Sequence, residues 1–230
     1  MMIPLFPLGT TLFPDGLLPL KIFELRYLEM TREAFEKGTP FGVVSLEQGS
    51  EVRVPEQDVV FSPIGVMAHL LDFEEIEPSL YFIRCQGGKR FQIKETQKKA
   101  NGLWMAEVQE IEPDELTALP VELEEAANKL GRVIVSFQNH GVRAKDMPFS
   151  QPYRLDDCGW VANRWCEMLP LNASQKQHLL GQTNPRLRLD LVSEILDGLQ
   201  ISIQFRTNEF APQGFCNSLI HILLLFCLLF

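Results

Sequence analysis

Histidine is scarce in this chain and cysteine is unpaired: four histidines and five cysteines are spread over 230 residues. No CxxC pair stands among Cys85, Cys158, Cys166, Cys216 and Cys227, and none of His69, His140, His178 and His221 lies at a zinc spacing from a cysteine. Structural zinc sites draw on close ligand pairs, so no metal is expected, even with His178 folded toward Cys158 and Cys166. The odd cysteine count and the lack of a basic-then-apolar leader point to a reducing cytoplasm. In that compartment Asn172-Ala173-Ser174 reads as a helix cap and not as a glycan acceptor. Positive charge is also short. Lys and Arg number 21 against 30 Asp and Glu, giving a net charge of -9, which opposes the basic face that phosphate backbones require. The one dense basic spot, Gln97-Lys98-Lys99, reads as a solvated hairpin end. No GxxxxGK[ST] loop occurs, so no nucleotide cofactor is expected. No apolar run is long enough to cross a bilayer: Leu219 to Phe230 reaches only about 18 Å as a helix against a hydrocarbon core of about 30 Å. Residues 201–230 leave three readings open: packing on the body, a membrane-surface or partner-binding tail, or a segment that does not fold with the rest.

Proline, by contrast, is concentrated at the start. Pro4, Pro7, Pro14 and Pro19 stand among Ile3, Leu5, Phe6, Leu12, Phe13, Leu17, Leu18 and Ile22. Such a stretch is too apolar for a solvated tail and too proline-rich for a helix, so it is extended and buried, with short strands near Ile3–Phe6 and Leu18–Ile22 at sheet edges or a barrel seam. Pro14-Asp15-Gly16 is a tight turn in which Gly16 takes the positive φ. The 4-3-4-1 spacing of Phe23, Tyr27, Met30, Ala34 and Phe35 predicts one face of a helix ending at Gly38. Phe41 to Leu46 is a buried strand, and Gln48 to Pro63, punctuated by Pro55, is a loop. Four strands follow at Ile64–Phe73, Leu80–Cys85, Gly88–Thr96 and Leu103–Ile111, with Asn101-Gly102 as a hairpin signal. Strands this close, without helical crossovers, imply an antiparallel barrel or sandwich.

The pattern changes between Glu112 and Pro120. Leu123, Ala126, Ala127, Leu130, Ile134 and Phe137 keep helical spacing; Asn139 to Arg154 is a connection. Asp156 or Asp157 caps a helix burying Val161, Trp165 and Met168, which Pro170 stops. Asn172 with Gln175 starts a short helix, and Asn184-Pro185 opens a last one along Leu187, Leu191, Ile195 and Leu199. The reading is α+β, with a β domain over 1–116, a helical bundle over 117–200 and the tail over 201–230.

Phe6-Pro7-Leu8, Phe13-Pro14, Pro19-Leu20, Phe23-Glu24 and Arg26-Tyr27 form an ordered set. With Ile64-Gly65 to Phe73-Glu74-Glu75, Gly88 to Phe91, and Asn163-Arg164-Trp165 to Leu169-Pro170-Leu171, they resemble the Lon N-terminal domain family over about residues 1–199. Asp15 stands where that family commonly has glycine, and Leu25 where it has proline. The resemblance implies a six-stranded PUA-like pseudobarrel with one helix, followed by a helical bundle. It also implies recognition of unfolded or extended polypeptide, or of a partner protein, without the ATPase or peptidase of a full Lon protease.

For binding, the candidate residues are Phe13, Pro14, Leu17 and Leu18, a patch around the turn beside an unpaired strand edge, unless they simply close the barrel. Asp72, Glu74 and Glu75 mimic a catalytic carboxylate cluster but read as a charged strand end, and Glu24 with Arg26 as an ion pair or cap. No catalytic residue is assigned. The alternatives are a hydrolase, which needs a nucleophile joined to a base, and a PUA-like RNA binder, which needs a coherent positive face.

Overall fold

The computed structural model describes residues 1–51, 58–143 and 146–198. Pro55, Leu199 and the segment holding Cys216, His221 and Cys227 lie outside these residues. Six strands form one sheet: β1 (Met2–Leu8), β2 (Leu17–Ile22), β3 (Phe41–Gln48), β4 (Val60–Glu77), β5 (Leu80–Lys98) and β6 (Trp104–Glu110). Their order is β2-β5-β4-β3-β1-β6, with a further β5–β6 pairing that closes a ring and leaves β2 outside it. The expected α+β class and the six strands that the resemblance implies hold, but the sheet is mixed. β1 and β3 run parallel, Leu5 opposite Gly42, while the other pairs are antiparallel. Between them the chain passes through β2 and helix α1 (Leu25–Lys37), a crossover long enough to return it to the same end of the sheet.

The strands expected at Leu80–Cys85 and Gly88–Thr96 are one strand. β5 spans 19 residues, pairing with β2 through its first half and β6 through its second, while β4 follows both. The strand runs on through Gly87, where the backbone of Phe13 occupies the place a Cβ would take. Ile3, Leu5, Val44, Met67, Phe91, Ala106 and Val108, drawn from all five ring strands, fill the interior. A Cβ on Gly42 or Gly65 would meet the tip of the Phe91 ring at 2.7 Å or less, so these glycines make the space for it.

In α1 the buried face is Tyr27, Met30 and Ala34, joined by Arg26, Leu28 and Thr31. Phe23 and Phe35, expected on that face, are 57% and 52% exposed. Phe23 precedes the helix, and Phe35 turns outward to stack on Phe73 at 4.8 Å. Gly38 ends the helix at φ 61, the left-handed turn a glycine makes at least cost.

A 3-10 turn (Val121–Leu123) leads into α2 (Glu124–Asn139), followed by α3 (Cys158–Met168), α4 (Ala173–Gly181) and α5 (Pro185–Gly198). Asp157 accepts from the Gly159 amide at the start of α3, and Asn172 with Gln175 forms a reciprocal capping box on α4. α3 is the axis of this half: every residue from Cys158 to Cys166 is buried. On α5 the buried face is Leu189, Val192 and Leu196 with Arg188, whereas Leu187 is 44% exposed. Two leucine stripes share this helix, and the one that meets α3 is the one beside Arg188.

Barrel and helices are not separately cored. Phe6, Tyr27, Phe41 and Ile83 belong to the same apolar cluster as Leu130, Trp165 and Leu196. A buried ionic node fastens them as well. Asp114, in the connection after β6, takes Nη2 of Arg90 (β5) at 2.6 Å and Nη1 of Arg188 (α5) at 2.5 Å. Arg90 also donates to the carbonyls of Leu180 and Gln182, and Arg188 to Leu179 and to Asn163 Oδ1. Burial lowers the pKa of Arg90, with Asp114 opposing the shift and Arg188 adding to it.

Candidate functional site

The turn at Phe13–Gly16 is closed by Gly16 N–H donating to the Phe13 carbonyl at 3.0 Å. The residue at positive φ is Asp15, at 63°, not Gly16. This is a proline-led turn whose third residue must be left-handed, a conformation aspartate tolerates and glycine adopts freely. Gly16 is required for a different reason: a Cβ there would collide with the Glu167 carboxylate. The turn is fastened on every side. Asp15 N–H donates to Gly87 O and Gly87 N–H to Gly16 O, each at 2.8 Å; Arg164 Nη2 donates to Pro14 O at 2.7 Å; and Arg154 pairs with Asp15.

Beside this turn lies a cleft of about 790 Å³. One wall is the outward face of the sheet, with Leu17 and Pro19 of β2, Phe82 and Arg84 of β5, and Asp72 and Glu74 of β4. The opposite wall is Phe137 of α2, Met147 to Phe149 of the α2–α3 connection, and Glu167 and Met168 at the end of α3. Because the two walls come from the barrel and the helices, the cleft's shape depends on the docking of one on the other. Gln86 Nε2 donates to Ser150 Oγ at 3.2 Å and helps to hold the connection against β5.

Glu167 is the carboxylate most altered by this setting. Desolvation by burial pushes it up to about 7, while Arg164 and Lys176 pull in the other direction. Arg164 Nη2 donates to Glu167 Oε1 at 3.1 Å, and Nε lies 3.0 Å from Oε2 as an ionic contact. Asp72 pairs with Arg84 at 2.6 Å. Elsewhere burial pushes Cys85 and Cys166 up to about 12, which keeps both as neutral thiols. Lys98 Nζ sits 5.1 Å over the Trp104 ring, so the basic hairpin end is partly engaged with the sheet.

Of the residues expected to bind, Leu17 and Leu18 line the cleft, and Leu17 is half-exposed. Phe13, at 0% exposure, and Leu18, at 7%, belong to the shared core, the fastened turn holding the Phe13 ring inward. Pro14 is half-buried, outside the cleft, and contributes its carbonyl to Arg164. Glu24 and Arg26 form a structural pair at 3.1 Å, and Arg26 also donates to Gly102 O at 3.0 Å. Asp72, Glu74 and Glu75 lie within β4, and the first two face the cleft. Sequence reasoning missed Phe82, Phe137, Met147 and Met168. Phe82 carried a readable signal, since it alternates with buried Tyr81 and Ile83 and so places an aromatic ring on the outward face of β5.

A profile of the ATP-dependent protease La (LON) substrate-binding domain matches residues 2–198. The chain is 27% identical over 222 residues to a Lon protease of Aquifex aeolicus (strain VF5), covering 91% of this chain and 27% of that protein, so it spans about a quarter of that relative's length. The crystal structure of a Lon N-terminal domain protein from Xanthomonas campestris superposes with a TM-score of 0.66 at 28% identity, covering 84% of this chain and 98% of the other. The N-terminal domain of the Mycobacterium avium complex Lon protease shares the fold, with a TM-score of 0.55 at 14% identity over 88% of this chain and 100% of its own.

Proposed function

Because the chain belongs to the ATP-dependent protease La (LON) substrate-binding domain family, we propose that it binds polypeptide in the cleft between barrel and helices, as a recognition module that holds its client without chemistry of its own. The observation that carries this reading is the cleft itself. Its volume of about 790 Å³ accommodates several side chains, and the half-buried Phe82 and Met168 offer apolar, adaptable walls, backed by Phe137 and Met147 of the core. Methionine and phenylalanine surfaces repack around different apolar partners, which suits a module that meets many unfolded sequences and no single one. Leu17, Leu18 and Pro19 supply the part of the wall that comes from the proline-rich opening.

Fluorescence anisotropy with a labelled, permanently unfolded polypeptide tests this reading. Phe82→Ser removes an aromatic anchor from the outward face of a strand and weakens binding by roughly tenfold or more. Affinity equal to wild type for both Phe82→Ser and Met168→Ser, with thermal unfolding unchanged, overturns it.

A further inference from the structure

We propose that the client enters as an added strand on the free edge of β2, and that apolar segments bearing Lys or Arg are taken in preference to acidic ones; this rests on the cleft being the polypeptide site. β2 ends the sheet order and is hydrogen-bonded to β5 alone. Its orientation follows from one bond: Gly87 N–H donates to Gly16 O at 2.8 Å. Backbone groups alternate along an antiparallel strand, so Leu18, Leu20 and Ile22 turn toward β5, and Leu17, Pro19 and Lys21 turn away. Pro19 fits the outward set, having no N–H to leave unpaired. At Gly16 the α2–α3 connection makes one antiparallel bridge through Phe149 and then departs. Among the described residues, the edge from Pro19 to Ile22 has no further strand partner, and it keeps the Lys21 N–H and the Pro19 and Lys21 carbonyls for a ligand.

Two cavities lie along this edge. The cleft of about 790 Å³ and a second pocket of about 240 Å³, reaching Tyr27 and Glu51, share Pro19 and Phe82. An extended chain sends successive side chains to opposite faces of its sheet, so a strand laid along β2 turns one alternate set toward the face of Pro19 and Phe82, which both cavities share. A helix has no such fit, since it offers no free backbone groups to Lys21.

Charge selects among extended clients. Carboxylates outnumber cations among the side chains lining the two cavities. Counting Arg26, Arg143, Arg164 and Lys176, which face lining carboxylates from outside, brings the local balance to even, so the preference rests on the net charge of the whole chain, -9. A basic segment is therefore attracted and an acidic one repelled, with the difference screened by salt.

The test uses the full chain and a twelve-residue synthetic peptide of alternating leucine and serine with lysine at both ends. In two variants, every second backbone nitrogen is methylated, in interleaved sets. Strand addition predicts that one set loses about tenfold or more in affinity while the other binds nearly as the parent. It also predicts that the parent peptide slows hydrogen exchange of the Lys21 amide. Exchanging the end lysines for glutamates weakens binding at low salt, and added salt narrows the gap. Equal effects of the two methylated sets, or an unprotected Lys21 amide with peptide bound, overturn strand addition while the cleft reading stands. Tighter binding of the glutamate peptide overturns the charge preference. Failure of the parent and glutamate peptides alike to bind removes the cleft reading itself.

Discussion

Replacing Asp114 by alanine is the sharpest test of what holds the cleft's two walls together. Asp114 is the only carboxylate that any described contact gives to Arg90 or Arg188, whose side chains are 3% and 1% exposed. Removing it leaves two buried guanidinium groups without a counter-charge, and breaking a buried pair in this way costs about 3–5 kcal/mol. Here the lower end applies, because both arginines keep carbonyl acceptors: Leu180 and Gln182 for Arg90, and Leu179 and Gln182 for Arg188. The expected loss is about 3 kcal/mol, a shift of roughly 6–12 °C in Tm for a chain of this size. Urea unfolding followed by tryptophan fluorescence measures it. In Asp114→Ala/Arg188→Met one of the stranded charges is gone, so the double variant recovers part of the loss. A single variant within 1 kcal/mol of wild type, or a double variant that loses the full sum of the two single changes, refutes the node as a fastener.

Glu167 adds a pH dependence of defined sign. Its folded pKa of about 7 lies above the ordinary 4.5, so the native state holds this proton more tightly than the unfolded one, and its contribution to stability falls as pH rises from about 4.5 through 7. Glu167→Gln, a stand-in for the protonated form, gains on wild type between pH 5 and 8.5 by a difference on the order of 3 kcal/mol. A gap that stays constant over that range in chemical denaturation contradicts the assignment. Phe13→Ala acts on stability and not on recognition, with a loss of about 3–5 kcal/mol. Retained stability with lost polypeptide affinity would return Phe13 to the binding surface. Asp15→Gly relieves the left-handed backbone at φ 63 but loses the pairing with Arg154. Since that pair is more than a third exposed on both sides and worth little, the variant is stabilised by up to about 1 kcal/mol, readable as a raised Tm; a lowered Tm contradicts it.

Much of this molecule was readable from local chemistry. Proline and apolar residues together forced an extended, buried opening; Gly38, Asn101-Gly102, Asp157 and the Asn172–Gln175 box marked where elements begin and end; and the helical stripe from Leu123 to Phe137 is buried as its spacing required. Each of these depends on a few neighbouring residues, and tertiary contacts did not override them. Contacts distant in sequence decided the rest. That Gly87 and Gly88 lie inside a strand, with Phe13 and His69 against them, and that the leucine stripe of α5 beside Arg188 faces inward, with Asp114 holding Arg188, are set by such contacts. The same holds for the cleft: residues as far apart as Leu17, Phe82, Phe137 and Met168 form one surface only after β2 pairs with β5 and the helices dock on the barrel. Spacing along a chain records which face of an element is apolar, but it does not record which other apolar face will cover it.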